Sequence, residues 1–177
     1  MAAADWPGGR RAWAALGGAT AVLLGGLFYV YAVYPGAGIG PRQPISFSHR
    51  VHAGVKRIPC RFCHPYVERS AHAGLPTVKK CFYCHAHVIP SHPEILREKG
   101  YLEARVPVPW VRLFVVPDHV KFRHQPHVAW AKIDCSACHG AVATMDRLRP
   151  VKFQMGFCIG CHRARGAQLD CWLACHH

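Results

Sequence analysis

The first 48 residues of this 177-residue chain contain neither cysteine nor histidine, and positions 12–34 contain no charged side chain. Any thiol or imidazole chemistry therefore belongs to the C-terminal part, about 140 residues once the apolar stretch is set aside, a length that suggests one domain. Acidic residues are scarce, nine against 22 lysines and arginines, giving a formal charge of +13. No nucleic-acid-binding motif accompanies that excess, so the charge is not read as a nucleic-acid footprint. No βαβ pattern surrounds any cysteine pair, which excludes thioredoxin-like chemistry.

What is present is ten cysteines and fourteen histidines. In a small exported domain ten cysteines would ordinarily mean a disulfide framework. Their spacing argues otherwise: Cys60/Cys63, Cys81/Cys84, Cys135/Cys138 and Cys158/Cys161 are each followed at once by histidine, at His64, His85, His139 and His162. C-x-x-C-H is the haem c attachment signature, in which two thiols add to the vinyl groups and the adjacent histidine becomes the proximal axial ligand. Zinc ribbons pair one C-x-x-C with a distant pair without requiring histidine next to each. Iron–sulfur ferredoxins cluster their cysteines in runs absent from this chain. A fifth pair, Cys171 and Cys175 followed by His176, has one extra residue, and a bulged spacer still lets both sulfurs reach one haem. Five haem c groups are expected.

The apolar stretch Ala12–Tyr34 is long enough to span a bilayer as a helix. It is longer than a signal-peptide core and lacks a small-residue cleavage site, so it is read as an anchor. Arg10 and Arg11 precede it, so residues 1–11 are expected in the cytoplasm and residues 35–177 on the periplasmic side of a bacterial cytoplasmic membrane. Tyr29, Tyr31 and Tyr34 fall where interfacial aromatic residues are favoured.

The exported part carries an internal repeat. The run F-S-H-R-V-H from Phe47 recurs as F-R-H-Q-P-H from Phe122, and the 75-residue offset also maps Cys60, Cys63 and His64 onto Cys135, Cys138 and His139. Each copy continues to a second motif, which makes two two-haem modules, 45–90 and 120–165, joined by a linker at 91–119 and followed by a fifth site at 166–177. In the linker the prolines suggest a short helix over Glu94–Ala104, then an extended connector from Val106 to Pro117. The fold class expected is mainly α with much irregular structure: one transmembrane helix plus a compact domain in which haems form much of the core.

A second imidazole opposite each proximal histidine makes a saturated, low-spin iron suited to electron transfer. The candidates for that distal position are His49, His52, His124 and His127, which come in pairs three residues apart, then His72 and His119. His87 and His92 are assigned to the surface or to supporting roles, and His177 to the chain terminus. Met155, three residues before Cys158, is a further candidate that would raise one haem's potential, with simple packing as the alternative. Ten propionates and one positive charge per ferric core would bring +13 down to roughly +8 when oxidised and about +3 when reduced.

The first module, F-S-H-R-V-H with C-R-F-C-H, A-H-A-G-L-P and C-F-Y-C-H, and the second, D-H-V-K-F-R-H-Q-P-H with C-S-A-C-H-G and M-G-F-C-I-G-C-H-R, together resemble the pentahaem cytochrome c subunit of alternative complex III over residues 40–165. That resemblance implies a complex oxidising menaquinol, with electrons passing through an iron–sulfur subunit and these haems to a monohaem cytochrome c or similar acceptor. The chain departs from the family pattern in its C-x-x-x-C-H motif and in ending just after it. Two other readings stand beside this one: a cytochrome subunit of a menaquinone-reducing complex, fed by soluble cytochromes, and a multihaem reductase of the nitrite or hydroxylamine type. The reductase would need an open iron position, against which the surplus histidines argue.

Overall fold

A computed structural model describes residues 7–34 and 40–176, which fall into two units. Residues 1–6, most of the expected cytoplasmic segment, and His177 lie outside the described residues.

The first unit is helix α1, Pro7–Phe28, extended by a wider π-turn, π1, Tyr29–Val33. Leucine and alanine favour helix, the paired glycines are tolerated, and nothing in the run is charged beyond Arg11. From Arg11 to Val33 the 23 residues are long and apolar enough to cross a membrane, and none is buried. At the rise of an α-helix they would extend about 34 Å, matching a hydrocarbon core.

The second unit consists of short helical pieces, with no β-strand among the described residues. Helix α2 is Cys60–Cys63, α3 Val78–His85, α4 Pro93–Glu103, α5 Ser136–His139 and α6 Met155–Ala164. Three π-turns accompany them: π2 at Arg50–Val55, π3 at Pro126–Trp130 and π4 at Cys171–Cys175. The linker helix starts one residue earlier than its proline pattern suggests. Proline at the first helical position is preorganised for helix, and the His92 side chain accepts a hydrogen bond from Glu94 N at 3.2 Å as a cap. Residues 106–116 form no regular element, because Pro107 and Pro109 cannot donate a helical hydrogen bond.

The geometry around Phe47 recurs 75 residues later. Lys56 N donates to Val51 O as Ala131 N does to Pro126 O, and Ile58 N to His52 O as Ile133 N does to His127 O. Arg57 and Lys132, which follow the two π-turns, both take positive φ, 54° and 51°. Two sequence runs with different residues at most positions thus adopt one backbone path.

Apolar burial is slight for so many apolar residues. Among the described residues only Ile45, Val67, Ile95, Val108 and Val128 are buried apolar side chains, and none is fully buried. Phe62, Tyr83, Phe157, Trp130, Trp172 and Leu173 are all exposed. A polypeptide of this size normally closes a larger apolar core around itself.

Candidate haem attachment and ligand sites

Every C-x-x-C-H motif sits on or beside a helical turn. In α2, in the C-terminal half of α3 and in α6 the two cysteines stand three residues apart, which places both thiols on one side of the turn. In the longer motif, π4 accommodates the extra residue: its wider turn takes Cys171 and Cys175 into one loop, closed by His176 N to Cys171 O at 2.7 Å. Asp170 caps this turn, accepting from Trp172 N at 2.9 Å and Leu173 N at 2.8 Å. All ten cysteines are free, and among the described residues no three histidine, cysteine or acidic side chains converge as a bare metal-ion site. Burial pushes the thiols of Cys63, Cys135, Cys138 and Cys158 up, and that of Cys81 up to about 12, with the Glu98 carboxyl as its next influence.

The imidazoles are oriented by backbone carbonyls. Nδ1 of His64 lies 2.7 Å from Gly74 O, Nδ1 of His85 3.0 Å from Val88 O and Nδ1 of His162 2.7 Å from Gln168 O. Nδ1 of His52, His124 and His127 likewise lies 2.8, 2.7 and 2.7 Å from Ser48 O, Ala71 O and Arg123 O. A carbonyl can only accept, so each Nδ1 carries the proton and each Nε2 keeps a free lone pair, the arrangement of a metal-ligating histidine. Gly74 serves this arrangement: at φ 77° it turns its carbonyl to His64, and a Cβ there would meet the Tyr66 ring at 2.5 Å.

The histidines then meet in pairs. His52 and His85 have ring centroids 6.0 Å apart, His127 and His162 6.0 Å, His124 and His139 6.3 Å with planes within 6°, and His119 and His176 5.4 Å. His49 is held to a pKa of about 4, first by burial and then by His64 and His52 nearby. His139 is lowered by burial, His124 and His64. Two imidazoles on opposite faces of one metal, each with a metal–nitrogen bond of about 2.0 Å, have centroids about 6 Å apart. In three pairs the separation matches that value, and in each a motif histidine faces one from outside the motifs. The donor set, its tautomers and its spacing fit haem c.

The phenylalanines of the two F-x-H-x-x-H runs hold the rings in place. Phe47 lies edge-on to His49 at 4.8 Å and stacks on His52 at 4.3 Å; Phe122 meets His124 and His127 at 4.9 Å each. Phe114, from the extended connector, packs edge-on against His139 at 4.5 Å. The repeat in the sequence exposes Phe47 and Phe122. Nothing local marks Phe114 or the carbonyl of Ala71, because their roles depend on distant chain.

The remaining candidates are placed elsewhere. His72 is exposed, with its backbone N–H on Ser70 Oγ. Met155 opens α6 at 65% exposure, while His127 occupies the position opposite His162. His92 uses its Nδ1 as a helix-cap acceptor.

No family model matches the chain. Over 99 residues, 55% of its length, it is 37% identical to the multihaem cytochrome c subunit of menaquinone reductase from Nitratidesulfovibrio vulgaris (strain Hildenborough). It is similar to a multihaem cytochrome c. The match spans 45% of that relative, so the chain covers about half of the cytochrome it resembles. A multihaem cytochrome relative, five cysteine pairs and paired imidazoles point to the same cofactor, haem c.

Proposed function

We propose that this chain is a single-pass, membrane-anchored cytochrome carrying five haems c on the periplasmic side, which relays electrons for a menaquinone-linked complex and has no substrate of its own. The observation that carries this reading is the approach of motif histidines to non-motif histidines at the spacing of two axial ligands. When bound, haem c supplies a one-electron iron couple. Cys60/Cys63, Cys81/Cys84, Cys135/Cys138, Cys158/Cys161 and Cys171/Cys175 would hold the five groups, and His64, His85, His139, His162 and His176 would be proximal ligands. The distal partners would be His49 for His64, His52 for His85, His124 for His139, His127 for His162 and His119 for His176. Met155 and His72 are left out of this set. The carbonyl bonds to Nδ1 would hold His52, His64, His85, His124, His127 and His162 in place, and irons ligated on both sides by imidazole would exclude substrate, so the chain would conduct rather than catalyse.

Its partners in this reading are iron–sulfur and quinone-handling membrane subunits and a periplasmic acceptor such as a monohaem cytochrome c. The resemblance to alternative complex III runs electrons from menaquinol outward. A second reading, favoured by the menaquinone reductase relative, runs them inward from soluble cytochromes. Purifying the complex from membranes, identifying its subunits and assaying both menaquinol-dependent cytochrome reduction and its reverse decides between them. A purified holoprotein with a high-spin haem and nitrite turnover would instead make it a reductase.

A further inference from the structure

The order of the sites in space differs from their order along the chain. Within each repeat, two distal histidines three residues apart face two different motifs. His52 faces His85 while His49 neighbours His64, so the first and second sites share one turn. His124 faces His139 and His127 faces His162, so the third and fourth sites share the other. The thiols agree: Cys63 lies within electrostatic reach of Cys84 and Cys81, and Cys138 within reach of Cys158 and Cys161.

The junction between the repeats falls at the first and third sites. Cys135 and His139 of the third site lie within electrostatic reach of Cys60 and His64 of the first. The backbone supports the same junction, since His124 N donates to Ala71 O and Gln125 N to Ser70 O, while Arg50 N donates to Met145 O. The fifth site joins at the far side. Lys121 N donates to Cys175 O at 2.7 Å and Val120 pairs with His176, which fixes π4 against the run that leads into His124 and His127. Cys175 in turn lies within reach of Cys158.

We propose that the five attachment sites form one unbranched series, running from Cys81/Cys84 to Cys60/Cys63, Cys135/Cys138, Cys158/Cys161 and finally Cys171/Cys175. This inference rests on the proposed haem attachment and adds the path. Each hop moves one electron from a ferrous to a neighbouring ferric iron, with no bond made or broken. The menaquinone-linked partner exchanges electrons at one end of the series and the periplasmic partner at the other. The ends are the second and fifth sites. The two sites at the junction are interior to the path and reach a partner only through their neighbours.

The test is an experimental map of the full-length holoprotein in detergent, by cryo-EM or crystallography with iron anomalous signal, each iron being assigned by the cysteines bonded to its haem. The expected result is that the four shortest iron–iron separations join the second site to the first, the first to the third, the third to the fourth and the fourth to the fifth. A map in which the second and third or the first and fourth irons are closer than these overturns the order while leaving the cytochrome intact. An intact mass equal to the polypeptide alone, with no Soret band, overturns the haem reading itself.

Discussion

The imidazoles of His124 and His139 face each other with centroids 6.3 Å apart and planes within 6°. One belongs to a C-x-x-C-H motif and the other to a run eleven residues before that motif opens, so the pair is made by the fold and not by the motif. His127 and His162 likewise meet from outside and inside a motif, at 6.0 Å with their planes tilted by 43°.

His127→Ala should therefore convert one haem of five to a high-spin, ligand-accepting form. EPR and binding of added cyanide would measure this, with intact mass showing all haems still attached. His52→Ala should act in the same way on the haem at Cys81/Cys84. A spectrum unchanged in both variants would remove these distal assignments.

The double change Cys171→Ser with Cys175→Ser should lower the haem count by one and leave the remaining spectrum unaltered, since π4 is tied to the rest by few bonds. His119→Ala should perturb that haem alone. Intact mass and a pyridine haemochrome assay give the count.

Met155 is 65% exposed, and His127 already stands across from His162. Met155→Leu should leave every midpoint potential unchanged in a spectroelectrochemical titration, because a methionine ligand would hold one haem well above its bis-histidine neighbours. Loss of a high-potential component would restore Met155 as a ligand.

Arg50 Nε donates to Asp146 Oδ2 at 2.9 Å and Ser48 Oγ to Oδ1 at 2.6 Å, which pins π2 to the turn at Val142–Thr144. These hydrogen bonds hold the Asp146 carboxyl below the usual carboxylate range. A depressed folded-state value contributes stability above the ordinary carboxylate range, and that contribution is lost as pH falls through the lowered value. The hydrogen-exchange protection of residues 50–55, taken relative to the unfolded chain at each pH, should fall on acidification below that range. Asp146→Asn should lower it already at neutral pH and flatten its pH dependence, by a small amount that salt reduces, since the pair is exposed.

Ile95, one of few buried apolar residues, lies on α4, which packs against α3. Ile95→Ala should cost about 2 kcal/mol in denaturant titration of the holoprotein, the lower end for such truncations because its surroundings are sparse.

The five cysteine pairs and their neighbouring histidines were legible at once, because each C-x-x-C-H or C-x-x-x-C-H pattern is complete within five or six residues. So was the apolar run of α1, since its length answers directly to bilayer thickness, and so was the recurrence of F-x-H-x-x-H at 75 residues. The connector at 106–116 followed from its prolines, and α4 to within a residue. The tertiary structure decided the rest: that His127 and not Met155 faces His162, and that Phe114 closes on His139. The physical reason is range. A motif is written within five or six residues, but the pairing of His52 with His85 or His127 with His162, the Ala71 carbonyl at His124 and the order of neighbouring sites are contacts between segments tens of residues apart, which no local pattern encodes.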